Sequence, residues 1–381
     1  MKIAFIQPFS LADSNGGARI LRGLARGAPV PVVSVNTGLK PPSRGTFPNE
    51  VFLPFRPHFG RVERTRLAWL PTVWDQFWVN RWKPKFRRYL TEQGVTHLHV
   101  VPHTGLDSAG AADCARELSL PLWVSIHDHP RYAFRGGCGF KSKWAAVGRV
   151  WLEAERRFVI SEPMGQSMNL SFGERSFEVI TDGVEAQPLA PKRREPGLLR
   201  LYFMGLFHQG YTANLVCLVE ALRTLAQQNS GLRIVMTLRC GSVPDIPLPV
   251  GVEMEVLPFA SEDQVRRDIE TADLLYLPLP FGEAYHDFVD YSLSTKMVTY
   301  LGSGRPILYH GPESAAAGVL LNEHQAAFIV GSMDSSRMTS VIQQATPDRV
   351  SELVKQALQL TESRFRMGDI QARFWSAIFR K

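Results

Sequence analysis

A chain of 381 residues with 45% hydrophobic and 21% charged residues has the composition of a globular protein and the length of two domains. No apolar run approaches the ~18 residues of a spanning helix, and the start, Met1–Pro8, is too short an apolar stretch for a signal peptide; a cytoplasmic protein is expected. The four cysteines, Cys114, Cys138, Cys217 and Cys240, contain no C-x-x-C pair, which excludes a zinc ribbon and a thioredoxin-like site and leaves buried free thiols.

The first half alternates short apolar runs with helical stretches. Strands are expected at Lys2–Gln7, Val30–Val35, His97–Val101, Leu122–His127, Phe158–Ser161 and Phe177–Thr181. Each is rich in Val or Ile or continuously apolar and bounded by Gly, Pro or Asp, which suits a parallel sheet covered on both faces. Gly16-Gly17 and a helix Ala18–Arg26 follow the first strand; no G-x-G-x-x-G dinucleotide fingerprint is present. Trp74, Trp78, Trp82 and Phe86 recur every four residues among Arg81, Lys83, Lys85, Arg87 and Arg88. That spacing predicts a helix, kinked by Pro84, whose aromatic stripe enters the core; the segment 69–90 also suits an anionic membrane surface. Residues 44–90 hold ten Lys/Arg against Glu50, Glu63 and Asp75, an excess equal to the chain's whole net charge of +7. Such a basic patch implies an anionic partner, and no nucleic-acid-binding module pattern accompanies it.

The stretch Glu185–Gly197 holds three prolines, a charge cluster and few large apolar residues, the composition of an interdomain linker. The pattern then restarts, with strands expected at Leu199–Phe203, Arg233–Leu238, Glu253–Leu257, Leu274–Leu277, Pro306–Tyr309 and Ala327–Val330, and helices at Ala213–Gln228 and Glu262–Thr271. The expected organisation is an N-terminal domain 1–186, a linker 187–197, a C-terminal domain 198–350, and a helical segment 351–381 that packs back on the N-terminal domain. Two doubly wound sheets place ligands outside the carboxyl ends of their strands.

Asp273-Leu-Leu-Tyr-Leu-Pro278, then Ser294-Thr-Lys-Met-Val-Thr-Tyr-Leu-Gly-Ser-Gly-Arg-Pro306, carries the most chemistry. Ser294 is a natural N-cap, Thr295 opens the helix, Lys296 sits in its first turn, and Gly304 with Pro306 ends it. A helix start with a lysine suits a diphosphate. This region resembles the donor-binding region of GT-B retaining glycosyltransferases of family 4 (glycosyl transferases group 1). Gly16-Gly17, the strand end Ser125-Ile-His127-Asp128, Met204-Gly205 and the turn Asp182-Gly183 resemble other parts of that family.

The resemblance implies an α/β fold of GT-B architecture, two Rossmann-like doubly wound parallel-sheet domains facing a cleft. It implies transfer of a sugar from a nucleoside-diphosphate sugar to a hydroxyl acceptor, a glycan or a lipid-linked saccharide, with retention of configuration and neither metal nor cofactor. His127 and Asp128 would then lie at the transferred sugar. Gly16, Gly17, Gly205, His208, Ser294, Thr295, Lys296 and Thr299 would bind the donor. The chain departs from the family twice. His208-Gln209 stands where an Arg and a Lys usually hold the diphosphate, and Thr299 and Tyr291 stand where a pair of glutamates is common. Asp290 and Glu283 are the nearest substitutes for ribose or sugar contacts. The departures leave open a catalytically inert GT-B subunit that binds a glycan or a partner enzyme, and a sugar-nucleotide epimerase shares the architecture.

Overall fold

The computed structural model describes all residues except 43, 44, 46, 61, 63–72, 103, 104, 135–138, 193 and 381. Arg44, Arg61, Glu63, Arg64 and Arg66 of the basic stretch, the first residues of the segment 69–90, and Cys138 therefore lie outside the described residues. The chain forms two compact units: Met1–Asp182 with Gly368–Lys381, and Gly183–Met367.

The first unit is built on a seven-stranded sheet in the order β3-β2-β1-β4-β5-β6-β7. Its strands are β1 (Ile3–Gln7), β2 (Val32–Asn36), β3 (Glu50–Phe52), β4 (His97–Val100), β5 (Leu122–Ile126), β6 (Arg156–Val159) and β7 (Glu178–Val179), and every pairing is parallel. The winding reverses between β1 and β4. The strand β3 escapes the sequence pattern because its three residues are only half-buried. Glu50 explains its place: the carboxylate accepts from Ser34 Oγ at 3.0 Å, from Leu11 N at 2.8 Å and from Ser10 Oγ, tying the loop after β1 to the sheet edge.

The C-terminal segment is one expected helical run that the structure divides. A helix Pro347–Leu360 passes through one π turn, Thr361–Phe365, and stops at Arg366, whose extended backbone bridges Val184. The last helix, Met367–Phe379, then fills the first unit's core. Phe374 is fully buried, with ring centroids 4.7 Å from Phe158 and 6.3 Å from Phe5, and Trp375 Nε1 donates to Leu24 O at 3.2 Å.

The second unit carries a six-stranded sheet in the order β10-β9-β8-β11-β12-β13. The strands are β8 (Leu198–Met204), β9 (Arg233–Arg239), β10 (Val252–Leu257), β11 (Leu274–Pro278), β12 (Ile307–His310) and β13 (Phe328–Val330), again all parallel. Here the winding reverses between β8 and β11. The proline-rich stretch after Asp182 runs along this unit, with Leu189 N bonded to Ser303 O at 3.0 Å and Lys192 paired with Asp273 at 2.7 Å.

The helix Asp75–Glu92 corrects one expectation. It carries Pro84 within its span, on its exposed side. Its aromatic stripe splits. Trp82 and Phe86 are buried and stacked at 4.4 Å, with Trp82 Nε1 donating to Leu53 O, whereas Trp74 is 59% exposed. Trp74 and Phe77 lie on the outward face of the helix start, while Asp75 beside them is buried and paired with Arg56 at 2.8 Å.

Candidate functional site

A ligand crevice in an open parallel sheet forms where the winding reverses, beyond the carboxyl ends of the strands. In the second unit that point lies past Met204 of β8 and Pro278 of β11. Gly205 follows β8 with φ +95°, and its N–H bonds to Arg239 O at 3.0 Å. The helix Thr295–Leu301 is fixed to the same strand end by Tyr300, whose buried hydroxyl accepts from Met204 N at 3.0 Å. Ser294 caps this helix, accepting from Lys296 N at 3.2 Å. The helix has seven residues and ends at Gly302, short of Gly304, which takes φ +76° in the turn into β12.

Lys296 is the exceptional group. It is 9% exposed, its Cε passes 3.4 Å from where a Cβ on Gly205 would stand, and its Nζ lies 3.8 Å from the Phe203 ring centroid and 5.2 Å from that of Tyr211. Among the described residues no carboxylate forms an ion pair with it. Burial disfavours the ammonium and lowers its pKa from the usual 10.5 to about 7. Lys296 thus lies buried and without a counter-ion at the topological switch point of the second unit's sheet.

The other donor-site candidates divide. Thr295 and Thr299 lie on the helix with Lys296, and Thr299 Oγ1 donates back to Thr295 O at 3.2 Å. His208 sits in the loop after Gly205. Its Nδ1 accepts from Gly210 N at 3.0 Å, its ring stacks on Phe288 at 6.0 Å, and burial lowers its pKa, so it brings no cation at neutral pH. Asp290 is engaged by His286 at 3.3 Å, and its pKa is raised, chiefly by burial. Glu283 is exposed in a single 3-10 turn.

The remaining candidates belong to the first unit. The helix Gly16–Arg26 opens with Asn15 as cap, its Oδ1 accepting from Ala18 N at 2.8 Å. Gly17 lets two groups close in: a Cβ there would stand 2.7 Å from Phe9 Cζ and 3.4 Å from His127 Nδ1. The structure thus brings Gly17 and His127 together at the carboxyl ends of β1 and β5. His127 is half-buried and Asp128 exposed, while the neighbouring His129 is buried and meets Ser167 Oγ at 3.0 Å. Asp182, in the turn read from sequence, is buried and pairs with Arg19 of the helix after Gly17 at 3.0 Å.

Sucrose-phosphate synthase from Thermosynechococcus elongatus superposes with a TM-score of 0.69 at 13% identity, over 99% of this chain and 98% of that one. HepE from Anabaena, solved in complex with UDP-glucose, gives 0.63 at 13% identity over 99% of each chain. OtsA in its apo form gives 0.65 at 11% identity over 100% of each. The chain has the GT-B fold. No protein-family model matches it, and no curated protein sequence does.

Within this GT-B chain the sequence reading missed the groups that give Lys296 its character. Phe203 and Tyr211 read as ordinary core residues of a strand and a helix, and nothing local marks them as a cradle for an ammonium. A buried polar network behind them was also missed. Asn214 Nδ2 donates to Leu279 O at 2.9 Å and to His310 O at 3.0 Å, holding the ends of β11 and β12 to the helix Tyr211–Gln228. His310 Nε2 lies 3.0 Å from Ser332 O, a carbonyl that only accepts, so Nε2 carries the proton and Nδ1 accepts from Tyr276 O–H at 2.9 Å. Burial lowers His310 to about 4, which keeps it neutral. Among the described residues no group of three or more His, Cys, Asp or Glu is arranged to hold a metal, and no helix is long and apolar enough to cross a membrane.

Proposed function

We propose that the chain is a glycosyltransferase that moves a sugar from a nucleoside-diphosphate sugar to a hydroxyl of a glycan or lipid-linked saccharide, with retention of configuration and without a metal. The observation that carries this is Lys296, a buried lysine that no carboxylate among the described residues pairs with, at the winding reversal of the second unit's sheet. In such a transfer the bond from the anomeric carbon to the diphosphate oxygen breaks, and negative charge grows on the departing diphosphate. A fixed cation already stripped of water stabilises that charge without reorganisation. The helix bearing it is too short to supply much dipole, so the lysine is the chief electrostatic element. Gly205 leaves the backbone open for the phosphates, and Ser294, Thr295, Thr299 and His208 line the donor. Asp290 and Glu283 serve ribose or sugar hydroxyls once Asp290 leaves His286. His127 and Asp128 act at the sugar and the acceptor.

The test is a screen of nucleoside-diphosphate sugars, following release of free nucleoside diphosphate and the product sugar, with calorimetric titration of each donor. Release is expected with at least one donor, and Lys296→Ala and His127→Ala are expected to lower it by tenfold or more while circular dichroism stays native. Absence of binding by every donor would sink the reading and leave the inert subunit that the missing glutamates suggest. A changed sugar still attached to its nucleotide would identify an epimerase instead.

The acceptor is met at the inner face of the cell membrane. Support comes from the exposed start of the helix Asp75–Glu92: Val73, Trp74 and Phe77 are 64%, 59% and 49% exposed, and Arg81, Lys85 and Arg88 on the same helix are exposed too. Aromatic groups beside cations suit an anionic headgroup layer. Sedimentation with phosphatidylglycerol vesicles, lost in Trp74→Ser with Phe77→Ser, is the expected result; equal recovery with and without vesicles would refute it.

A further inference from the structure

We infer that binding of a nucleoside-diphosphate sugar draws a proton from water onto Lys296. The inference rests on the donor reading above and concerns the state of that site before the donor arrives. Lys296 Nζ is enclosed by the Phe203 ring on β8, the Tyr211 ring at the start of its helix, and the open backbone at Gly205. Among the described residues the titratable groups near it are few. The Cys240 thiol past β9 has its pKa raised by burial and is neutral. His208, in the loop after Gly205, is neutral because burial lowers it, and Tyr300 on the lysine's own helix is raised by burial and bonded to Met204 N. None of these supplies a negative charge.

Two aromatic faces return only part of the hydration an ammonium loses on burial. The free amine is therefore nearly as stable as the cation at neutral pH, in line with the depressed pKa of about 7. A pyrophosphate brings two negative charges that are ionised throughout the neutral range. Beside it the ammonium is again the preferred form, so the amine takes one proton from water or buffer and holds it while the donor stays. From a free pKa of about 7, uptake is about 0.9 proton per donor bound at pH 8 and about 0.1 at pH 6. Donor affinity is then level below pH 7 and falls by up to about tenfold per pH unit above it.

The experiment is calorimetric titration of the full chain with UDP-glucose in PIPES and in imidazole, at pH 6 and pH 8. The difference in heat between buffers counts the protons. About 0.9 proton at pH 8 is expected for the native chain, and near zero for Lys296→Arg, whose guanidinium stays charged at both values. Binding at pH 8 with no buffer dependence would overturn the inference and leave the donor reading standing. A direct reading separates the two when UDP-glucose does not bind. With 13C-labelled lysine, the Cε resonance missing in Lys296→Arg is followed against pH in the free protein. A midpoint near 7 supports the inference, and a midpoint near the ordinary 10.5 refutes it whatever the donor does.

Discussion

Replacing Lys296 by methionine removes a charge that the fold holds at a cost, and the protein is expected to become more stable and less active together. Methionine keeps the length and apolar body of the side chain, so the space between Phe203 and Tyr211 stays filled. The lysine titrates near 7 in the fold and near ~10.4 in the unfolded chain. Between these values the unfolded chain binds more protons, so stability rises with pH across that window; below pH 7 the full penalty applies. At pH 7 the penalty is on the order of 4 kcal/mol, already net of the attraction of the rings for the ammonium. Lys296→Met is therefore expected to gain stability on the order of 4 kcal/mol at pH 7 and under about 1 kcal/mol at pH 10. All eight tryptophans lie in the first unit's stretches of chain, so the second unit is followed in urea by far-ultraviolet circular dichroism. A variant less stable than the native chain at pH 7, or a gain that does not shrink as pH rises, would refute the reasoning.

Further outcomes follow from the buried groups. Gly304→Ala is expected to destabilise the second unit by about 2–3 kcal/mol in urea, because φ is +76° there and the new Cβ would stand 2.9 Å from Leu189 N. Tyr276→Phe takes the donor from His310 Nδ1 in a dry interior and is expected to cost about 1–3 kcal/mol by the same measurement, while Tyr276→Phe with His310→Phe costs less than the sum of the single changes. His310 and His99 are held near 4 and 3 by burial, well below the ~6.5 of the unfolded chain. The unfolded chain then binds more protons below pH ~6.5, and each histidine removes about 2 kcal/mol of stability between pH 7 and pH 5. Urea midpoints at the two pH values check the sum, and ring resonances of either histidine titrating near 6.5 would contradict it.

Much of the architecture was legible in the residues. Among the described residues, twelve of the thirteen strands fall on stretches expected from the sequence, because the apolar residues and the Gly, Pro or Asp that bound them lie within or beside each stretch. The helix start at Ser294 was legible for the same reason, since a cap needs only its own side chain and the next few N–H groups. The stop was not: Gly304 looked like the terminator, yet the helix closes at Gly302 and Gly304 serves a turn packed against Pro188 and Leu189. Among the site candidates, Gly17 and His127 were each visible as a residue type at a strand end. Their approach was not, because it depends on how β1 and β5 are placed in the sheet.

Sequence by itself determined the two alternating α/β patterns, the places where glycine and capping residues end elements, and the presence of one lysine at the start of a capped helix. Tertiary structure alone decided that this lysine is buried, that Phe203 and Tyr211 enclose it, and that no carboxylate among the described residues answers it. It also decided that Trp82 and Phe86 belong to the core while Trp74 and Phe77 face outward along the same helix. Periodicity and capping are settled by neighbours within a turn or two of chain. Desolvation and ion pairing are settled by groups that only folding brings within a few ångströms, and those set the charge of Lys296.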